Sequence, residues 1–439
     1  MAWDIVIAGG GFGGAHAARR LERLLPKQSA RLVLVNDVNF LLYTPFLPEA
    51  AAGTLEPRHV VTPLRDILRR TYLRLGAVTA HDPAARTVEI TGQDGAVSEQ
   101  RYDQLLFAPG SVSRLLPVPG LEHAIGFKSL ADAIWLRNHV IETLEAANAS
   151  EDAERRQMLL TYVFVGGGYA GLEALAELQD LAADAMDRYP RARLQGMRWI
   201  LVEASDRVLP EIDRKLADYA LRALRGRGIE VRLGTRLTEL ERDAVTLSTG
   251  ERIPARTTVW TTGVVPHPSL RALSLPLDER GRIEVDAYLR VKGLDGVWAI
   301  GDAAAVPDPD ARYARPCPPT AQHAIRQGRA AADNIAAELG IGTMRRFRYR
   351  NRGAFVNLGR YKAVGRIGPL TFSGFPAWWL ARTYHLIQVP GIARKARAVA
   401  DWTVGLPFSR DVAEVGSIGH PRPLRAEEYV RGGSHRPLE

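Results

Sequence analysis

The sequence predicts an α/β protein with two doubly wound parallel sheets and a C-terminal appendage. Three observations carry this. The 439 residues exceed what a single ordinary core holds. A strand, a glycine turn and the start of a helix occur twice, as DIVIAGGGFGG at 4–14 and TYVFVGGGYAG at 161–171. Each copy is followed by a second apolar strand ending in a polar residue, RLVLVND at 31–37 and RWILVEA at 198–204. Two β-α-β units of this kind mean two Rossmann-like sheets with helices on both faces.

The elements follow in order. Residues 72–110 alternate apolar and polar side chains and turn at Asp94-Gly95, as strands in hairpins do. Residues 130–157 look helical. Strands resume over 227–263, including 228–233 and 259–263. Residues 281–302 read as strands ending at Gly301-Asp302, and a helix spans about 320 to 339. Residues 345–373 are basic and strand-like. Residues 374–408 hold Trp378, Trp379 and Trp402 among arginines and lysines. From about Arg410, glycine, proline and charge suggest a loose tail. The expected division is 1–115 and 266–335 as two parts of one domain, 155–265 as a second, and 336–439 as the appendage.

Composition narrows the function. Hydrophobic residues make up 46% and charged residues 24%, as in an ordinary folded domain. The single cysteine, Cys317, excludes a disulfide scaffold, a redox pair and a four-cysteine cluster. It reads as a packing residue. No Cys/His spacing suggests a metal. Lys plus Arg exceeds Asp plus Glu, 58 against 49, and the net charge of +9 favours an anionic partner. No apolar leader precedes the strand at 4–8, and no run of about 18 apolar residues exists to cross a bilayer. The expected location is therefore the cytosol or a cytosolic membrane face.

The glycine turns carry the chemistry. Gly9, Gly11 and Gly14 fit G-x-G-x-x-G between strand and helix, and Gly166, Gly168 and Gly171 repeat it. The first glycine makes the tight turn, the second admits a pyrophosphate, and the third lets helix pack on strand. The helix N-terminus then favours the phosphates. Two such motifs in matching settings indicate two dinucleotide sites. Glu203 closes the second strand of the second unit and reads the adenosine ribose. Its charge repels a 2′-phosphate, so NADH is expected over NADPH, with Arg207 four residues on as the opposing influence. The matching place in the first unit is Asn36, with Asp37 next. Asp302 at a strand end suits flavin ribityl or phosphate groups, and Asp is equally common as a helix N-cap.

A first site, a second site and a returning Gly-Asp strand, in that order, resemble the glutathione-reductase-like flavoprotein superfamily over at least residues 1–335. Within it the chain looks like a type II NADH:quinone oxidoreductase over roughly 1–409. LLYTPFLPEAAAGTL at 41–55 is similar to the family's stretch beside the flavin, WTTGV at 260–264 to its WTAGV, and AQHAIRQG at 321–328 to its quinone-site helix. RYRNRGAFVNLGR at 348–360 and the aromatic-basic segment after it resemble its membrane-anchoring C-terminus. The resemblance implies FAD on the first unit and NADH as substrate on the second. It adds Gly13, Thr44, Pro45, Gly110 and Gly263 to the cofactor-binding residues. Gln322 then lies at the quinone pocket beside the flavin, and Arg326 stands where the family commonly has a second glutamine. Glu173 matches the family's G-x-E glutamate, with a role in proton handling or positioning, and is equally an ordinary first-turn acid. Ala108-Pro109-Gly110 replaces the family's A-T-G. His323 is expected to be structural and Lys128 to lie on the surface.

The C-terminal segment also argues for itself. Pro376 to Val389 sets Trp378, Trp379, Tyr384, Leu386 and Ile387 together, and Arg394, Lys395 and Arg397 precede Val399, Trp402, Val404, Leu406 and Phe408. Interfacial helices pair apolar and basic faces in this way, as do helices packed on a core or on a dimer partner. The expected protein is a monotopic NADH:quinone oxidoreductase on the cytoplasmic face of the cell membrane. Its expected partners are NADH, a membrane quinone and an anionic membrane surface, with a homodimer left open. A soluble ferredoxin or rubredoxin reductase is the alternative enzyme. Sulfide:quinone oxidoreductase needs a redox cysteine pair that the chain lacks. Nucleic acid is not expected, because the basic segment carries tryptophan beside aliphatics rather than stacking platforms.

Overall fold

The computed structural model describes residues 2–308, 316–349 and 353–414. Seven helices matter for the site: α1 (Phe12–Leu24), α2 (Leu47–Ala51), α3 (Leu130–Ala149), α4 (Tyr169–Ala185), α5 (Ala321–Glu338), α6 (Gly374–Gln388) and α7 (Ile392–Val404).

Ile5, Val6 and Ile7 are fully buried and head a near-continuous apolar strand, Trp3–Ala8, as a strand covered on both faces requires. It lies between Gln104–Phe107 and Ala30–Asn36, parallel to both. Val297–Ala299 returns to pair parallel with Gln104–Phe107, so the first sheet is built from both ends of the core chain. On the other side, the long strand Thr71–Asp82 pairs parallel with Ala30–Asn36 and then antiparallel with Thr87–Gly92, which continues to Val97–Arg101. The second sheet is wholly parallel, in the order Ile125–Gly126, Thr257–Trp260, Thr161–Val165, Arg198–Val202, Glu230–Arg232. Helices α3 and α4 contribute to the core on one face, and the antiparallel strands Leu237–Glu241, Ala244–Leu247 and Arg252–Pro254 pack on the other. The second layer thus recruits Ile125 and α3, ahead of the boundary at 155 drawn from the sequence.

Helix α5 begins where the sequence suggested. Thr320 caps it, its hydroxyl accepting from the backbone N–H of His323 at 3.3 Å. It crosses α1 so closely that a Cβ on Gly328 would collide with the carbonyl oxygen of Gly13. A Cβ on Gly13 would itself meet Ile300. Gly13, expected among the cofactor-binding residues, therefore serves the packing of the first glycine turn against α5.

After α5 come three antiparallel strands, Gly353–Asn357, Ala363–Ile367 and Leu370–Ser373, then α6 and α7. Val356, Leu358 and Val364 join the second core, while Val389 and Ala398 pack with Tyr43, Phe46 and Val60. The appendage therefore bridges both layers. For residues 410–414 the expected loose tail is corrected: Arg410 donates to the Glu177 carbonyl at 3.1 Å, and the carbonyls of Asp411 and Ala413 accept from Arg137. Residues 415–439 of the expected appendage lie outside the described residues. Among those described, no helix is long and apolar enough to cross a membrane.

The α1–α5 crossing has a testable consequence. Gly328→Ala overpacks the contact and should lower stability by about 1–3 kcal/mol. The urea midpoint measures this, and a midpoint equal to the parent's would show that the two helices separate freely.

Candidate active site

The two glycine turns are built alike to the level of single hydrogen bonds. Gly9 and Gly166 have φ of 111° and 114°, which side chains disfavour. In each turn the third glycine abuts the first: a Cβ on Gly14 would strike the Gly9 carbonyl, and one on Gly171 the Gly166 carbonyl. No atom lies within 4 Å of a Cβ built on Gly11 or Gly168, which leaves a cradle for a pyrophosphate in front of each helix N-terminus. The residue closing the second strand braces the turn from behind. The N–H of Gly10 donates to Asn36 Oδ1 at 2.7 Å, and that of Gly167 to Glu203 Oε2 at 2.5 Å. Asn36 also donates to the Val38 carbonyl, and Glu203 also accepts from Ser205. Asparagine thus does the structural work of the acid at the first turn, without its charge. Asp37 is exposed. Arg207 donates to the Pro210 carbonyl, and no ion pair joins it to Glu203 among the described residues.

Beyond the turns, Thr44 and Pro45 open a 3₁₀ turn that feeds α2. Gly110 and Gly263 have open space where a Cβ would sit, beside the antiparallel pair of Ser111–Ser113 with Val264–Pro266. Asp302 is no helix cap; its Oδ2 accepts the Ser111 hydroxyl at 2.6 Å. Lys128, expected on the surface, is half-buried and donates to the Ser111 oxygen at 3.1 Å. Burial holds its ammonium below the usual lysine range, and Asp302 works the other way. The sequence carried no sign of this, because 111, 128 and 302 meet only through tertiary pairing.

Glu173 and Glu177 lie one turn apart on α4. Glu173 is half-buried and accepts the backbone N–H of Asn357 at 2.8 Å. Glu177 is fully buried and accepts Asn357 Nδ2 at 2.9 Å and Arg410 Nη2 at 3.1 Å. Glu49 of α2, also buried, accepts Trp402 Nε1 at 2.7 Å and Arg382 Nη2 at 3.3 Å. The protein around Glu173 pushes its carboxyl up to about 8; the Asn357 bond opposes this, and the charges of Glu177 and Glu49 add to it. Sequence reasoning picked out Glu173 alone. The i,i+4 spacing offered Glu177, and Glu49 lay within the quoted 41–55 segment.

On α5, Gln322 Oε1 accepts the Tyr349 hydroxyl at 2.7 Å, and its amide donates to the Gly353 carbonyl at 3.4 Å. The Arg326 guanidinium lies 4.3 Å from the centre of the Tyr349 ring. Gln322 and Arg326 thus converge on Tyr349, which the sequence reading missed. Gln327, also missed, is buried and accepts the Gly301 N–H at 2.7 Å, steadying the turn that carries Asp302. His323 is buried, bonded to Thr320 at 2.7 Å. Cys317 packs against the first core, and burial pushes its thiol up to about 12, so it is no thiolate nucleophile. Among the described residues no group of His, Cys, Asp or Glu has metal-site geometry.

A carboxyl raised from 4.5 to about 8 in the folded state destabilises the fold as it ionises. Its contribution is favourable below the unfolded value and is lost as pH rises through the folded value. Urea midpoints of the parent should therefore fall between pH 5 and pH 8 more steeply than those of Glu173→Gln. Parallel curves would place the Glu173 carboxyl in the ordinary range.

Residues 3–328 match the model of the pyridine nucleotide-disulphide oxidoreductase family. The chain is 32% identical over 419 residues to the type II NADH:quinone oxidoreductase Ndh of Mycobacterium tuberculosis, covering 91% of this chain and 87% of that protein. It is 31% identical to demethylphylloquinone reductase NdbB of Synechocystis, covering 92% and 98%. The structure of NDH2 from Plasmodium falciparum in complex with NADH shares the fold, with a TM-score of 0.87 at 15% identity over 94% of this chain and 100% of that one. With 32% identity to the Mycobacterium tuberculosis oxidoreductase over 91% of its own length, the chain belongs to the type II NADH:quinone oxidoreductases, within the pyridine nucleotide-disulphide oxidoreductase family.

Proposed function

We propose that this chain oxidises NADH and passes the electrons by way of FAD to a membrane quinone, with a dinucleotide seated on each glycine turn. The paired turns carry the reading: each has a cradle that a Cβ would fill, a helix N-terminus behind it and a polar side chain bracing it. The first turn, Asp302 and the Thr44-Pro45 stretch fit FAD, and the second turn with Glu203 fits NADH. The proposed division is FAD on 1–115 and 266–335 and NADH on 155–265. Bound FAD supplies a ring that accepts a hydride equivalent and returns the electrons. The protein's part is to hold the reactants in register and exclude alternatives. Glu203 presents a carboxylate to the ribose edge, which favours NADH over its 2′-phosphorylated form. Lys128 sets a cation behind Ser111 and Asp302. Quinone reduction by NADH takes one proton from solution, and the half-buried Glu173 holds a proton at neutral pH. Gln322, Arg326 and Tyr349 supply a polar wall for the quinone carbonyl.

The membrane reading rests on α6 and α7, and the structure alters its detail. Of the three tryptophans, Trp378 is buried and Trp402 bonds to Glu49, so only Trp379 points outward, 54% exposed. Ile392, Leu406 and Phe408 are exposed at 86%, 60% and 66%. Arg397 is also exposed, while Arg394 and Lys395 are tied to the carbonyls of Arg58 and Ile387. An outward apolar strip with a basic edge suits a peripheral seat on an anionic bilayer. The net charge of +9 supports the cytoplasmic face. A soluble ferredoxin or rubredoxin reductase has no need of such a strip.

Stopped-flow mixing separates the half-reactions. Gln322→Leu and Arg326→Leu should each slow flavin reoxidation by a quinone about tenfold, leaving reduction by NADH within about twofold. Equal losses in both halves would make α5 a structural support and not a quinone wall.

Removing 374–439 is a poor membrane test, because Arg382, Trp402 and Arg410 hold buried carboxylates. Paired Trp379→Glu and Ile392→Glu substitutions touch the outer strip alone. They should release the protein from anionic vesicles and spare NADH oxidation with ferricyanide. The idea fails if the intact protein ignores such vesicles at low salt, or if the pair instead splits a homodimer and leaves lipid binding unchanged.

A further inference from the structure

The interior between α2 and α4 contains four carboxylates and three guanidinium groups that pair with them. Glu49 has Arg382 at 3.3 Å, Glu177 has Arg410 at 3.1 Å, and Asp180 has Arg227 at 2.5 Å. Glu173 forms no ion pair among the described residues. The donor sets differ in the same sense. Glu177 meets a guanidinium, the Asn357 amide and, at 3.5 Å, the Thr54 hydroxyl. Glu173 meets one backbone N–H, that of the same Asn357. Three donors including a cation favour an anion, whereas a single amide beside other carboxylates favours the neutral acid. Exposure differs as well: Glu177 is fully buried, and Glu173, one turn earlier on α4, is half-buried.

We propose that Glu177 is a positioning residue for Glu173: Arg410 fixes Glu177 as the anion, that anion keeps a proton on Glu173, and Asn357 joins the two into a unit that carries one proton. The proposal rests on the reading of Glu173 as the proton-holding group in quinone reduction. When Glu173 gives its proton, its O–H bond breaks and an O–H bond forms on the quinone, whose electrons come from NADH. The unit then holds two anions one helical turn apart. Their repulsion draws a proton from solvent back to Glu173, the less buried of the two carboxyls.

Arg410 lies between Glu177 and Asp184, 3.1 Å from the first and 3.8 Å from the second. Glu49, Asp180 and Arg382 surround Glu177 besides Arg410, and Glu49 and Glu177 face Glu173. Tyr169, on the same helix, is raised by burial and by Glu211 and Glu173, and stays neutral. Burial raises Glu177 as well, and Arg410 is the largest influence holding it down. Arg410 follows α7, so the C-terminal segment supplies the cation that assigns the proton.

Infrared difference spectra of the FAD-loaded full-length enzyme test this, together with the pH profile of flavin reoxidation by quinone. The protonated-carboxyl band lost in Glu173→Gln identifies Glu173, and the pH at which it disappears is read in each variant. In Glu177→Gln that pH should fall by about one unit, with the reoxidation profile moving the same way. Glu177→Asp should restore both towards the parent. Because Glu177→Gln leaves Arg410 with only its longer contact to Asp184, at 3.8 Å, the double variant Glu177→Gln/Arg410→Gln repeats the measurement with both charges gone, and the same fall is expected. A Glu173 band unmoved in the single and double variants overturns the proposal alone. A Glu173→Gln enzyme with the parent's pH profile overturns the reading of Glu173 and the proposal with it.

Discussion

A carboxylate inside a protein must find a cation or keep its proton, and that constraint shapes the middle of this molecule. Glu49 on α2 comes from the first half of the core chain, and Glu177 on α4 from the second. Neither finds its cation nearby in sequence. Both take arginines from the far C-terminal segment, Arg382 and Arg410. The Arg382 guanidinium also lies over Trp378 and Trp402, 4.1 Å and 4.8 Å from the ring centres. The appendage is therefore bound to both layers by paired charge as well as by packing. Breaking such a pair from one side leaves a charge stranded, which costs about 3–5 kcal/mol. Docking of the C-terminal helices and the charge state of the interior are thus one problem.

The same segment divides its aromatic residues by partner. Trp402 has a carboxylate for its indole N–H, and Trp378 lies on Phe375, Tyr361 and Arg382. Trp379, one residue on, turns out. The outward surface of these two helices is consequently more aliphatic than their tryptophan content suggests. The basic residues of α7 are also divided, since Arg394 and Lys395 already serve backbone carbonyls.

The glycine turns show how a local rule tolerates substitution. What the turn needs from the end of the second strand is an oxygen that accepts one backbone N–H. Glu203 and Asn36 both provide it at the same place, at 2.5 Å and 2.7 Å. Charge at that place is a separate property, exercised on the ligand. The departure from an acid at Asn36 therefore leaves the fold of the first turn intact.

Much of this was legible in the amino-acid order, because it depends on neighbours along the chain. The strands and helices of both repeats, the helix capped by Thr320 and the strands at 353–373 follow from periodicity, capping and glycine placement. The pair of matching glycine turns follows from the spacing of Gly9, Gly11, Gly14 and their counterparts. Tertiary structure alone decided which side chains share an environment. It turned Lys128 inward to Ser111 and Asp302, gave Gly13 to a helix crossing, set Tyr349 against Gln322 and Arg326, and brought Arg410 to Glu177. Each of these joins residues from different elements, and their energies depend on burial and on the partner's charge. Neither quantity is written in sequence spacing: a glutamate reads the same whether an arginine more than two hundred residues away neutralises it or leaves it to keep its proton.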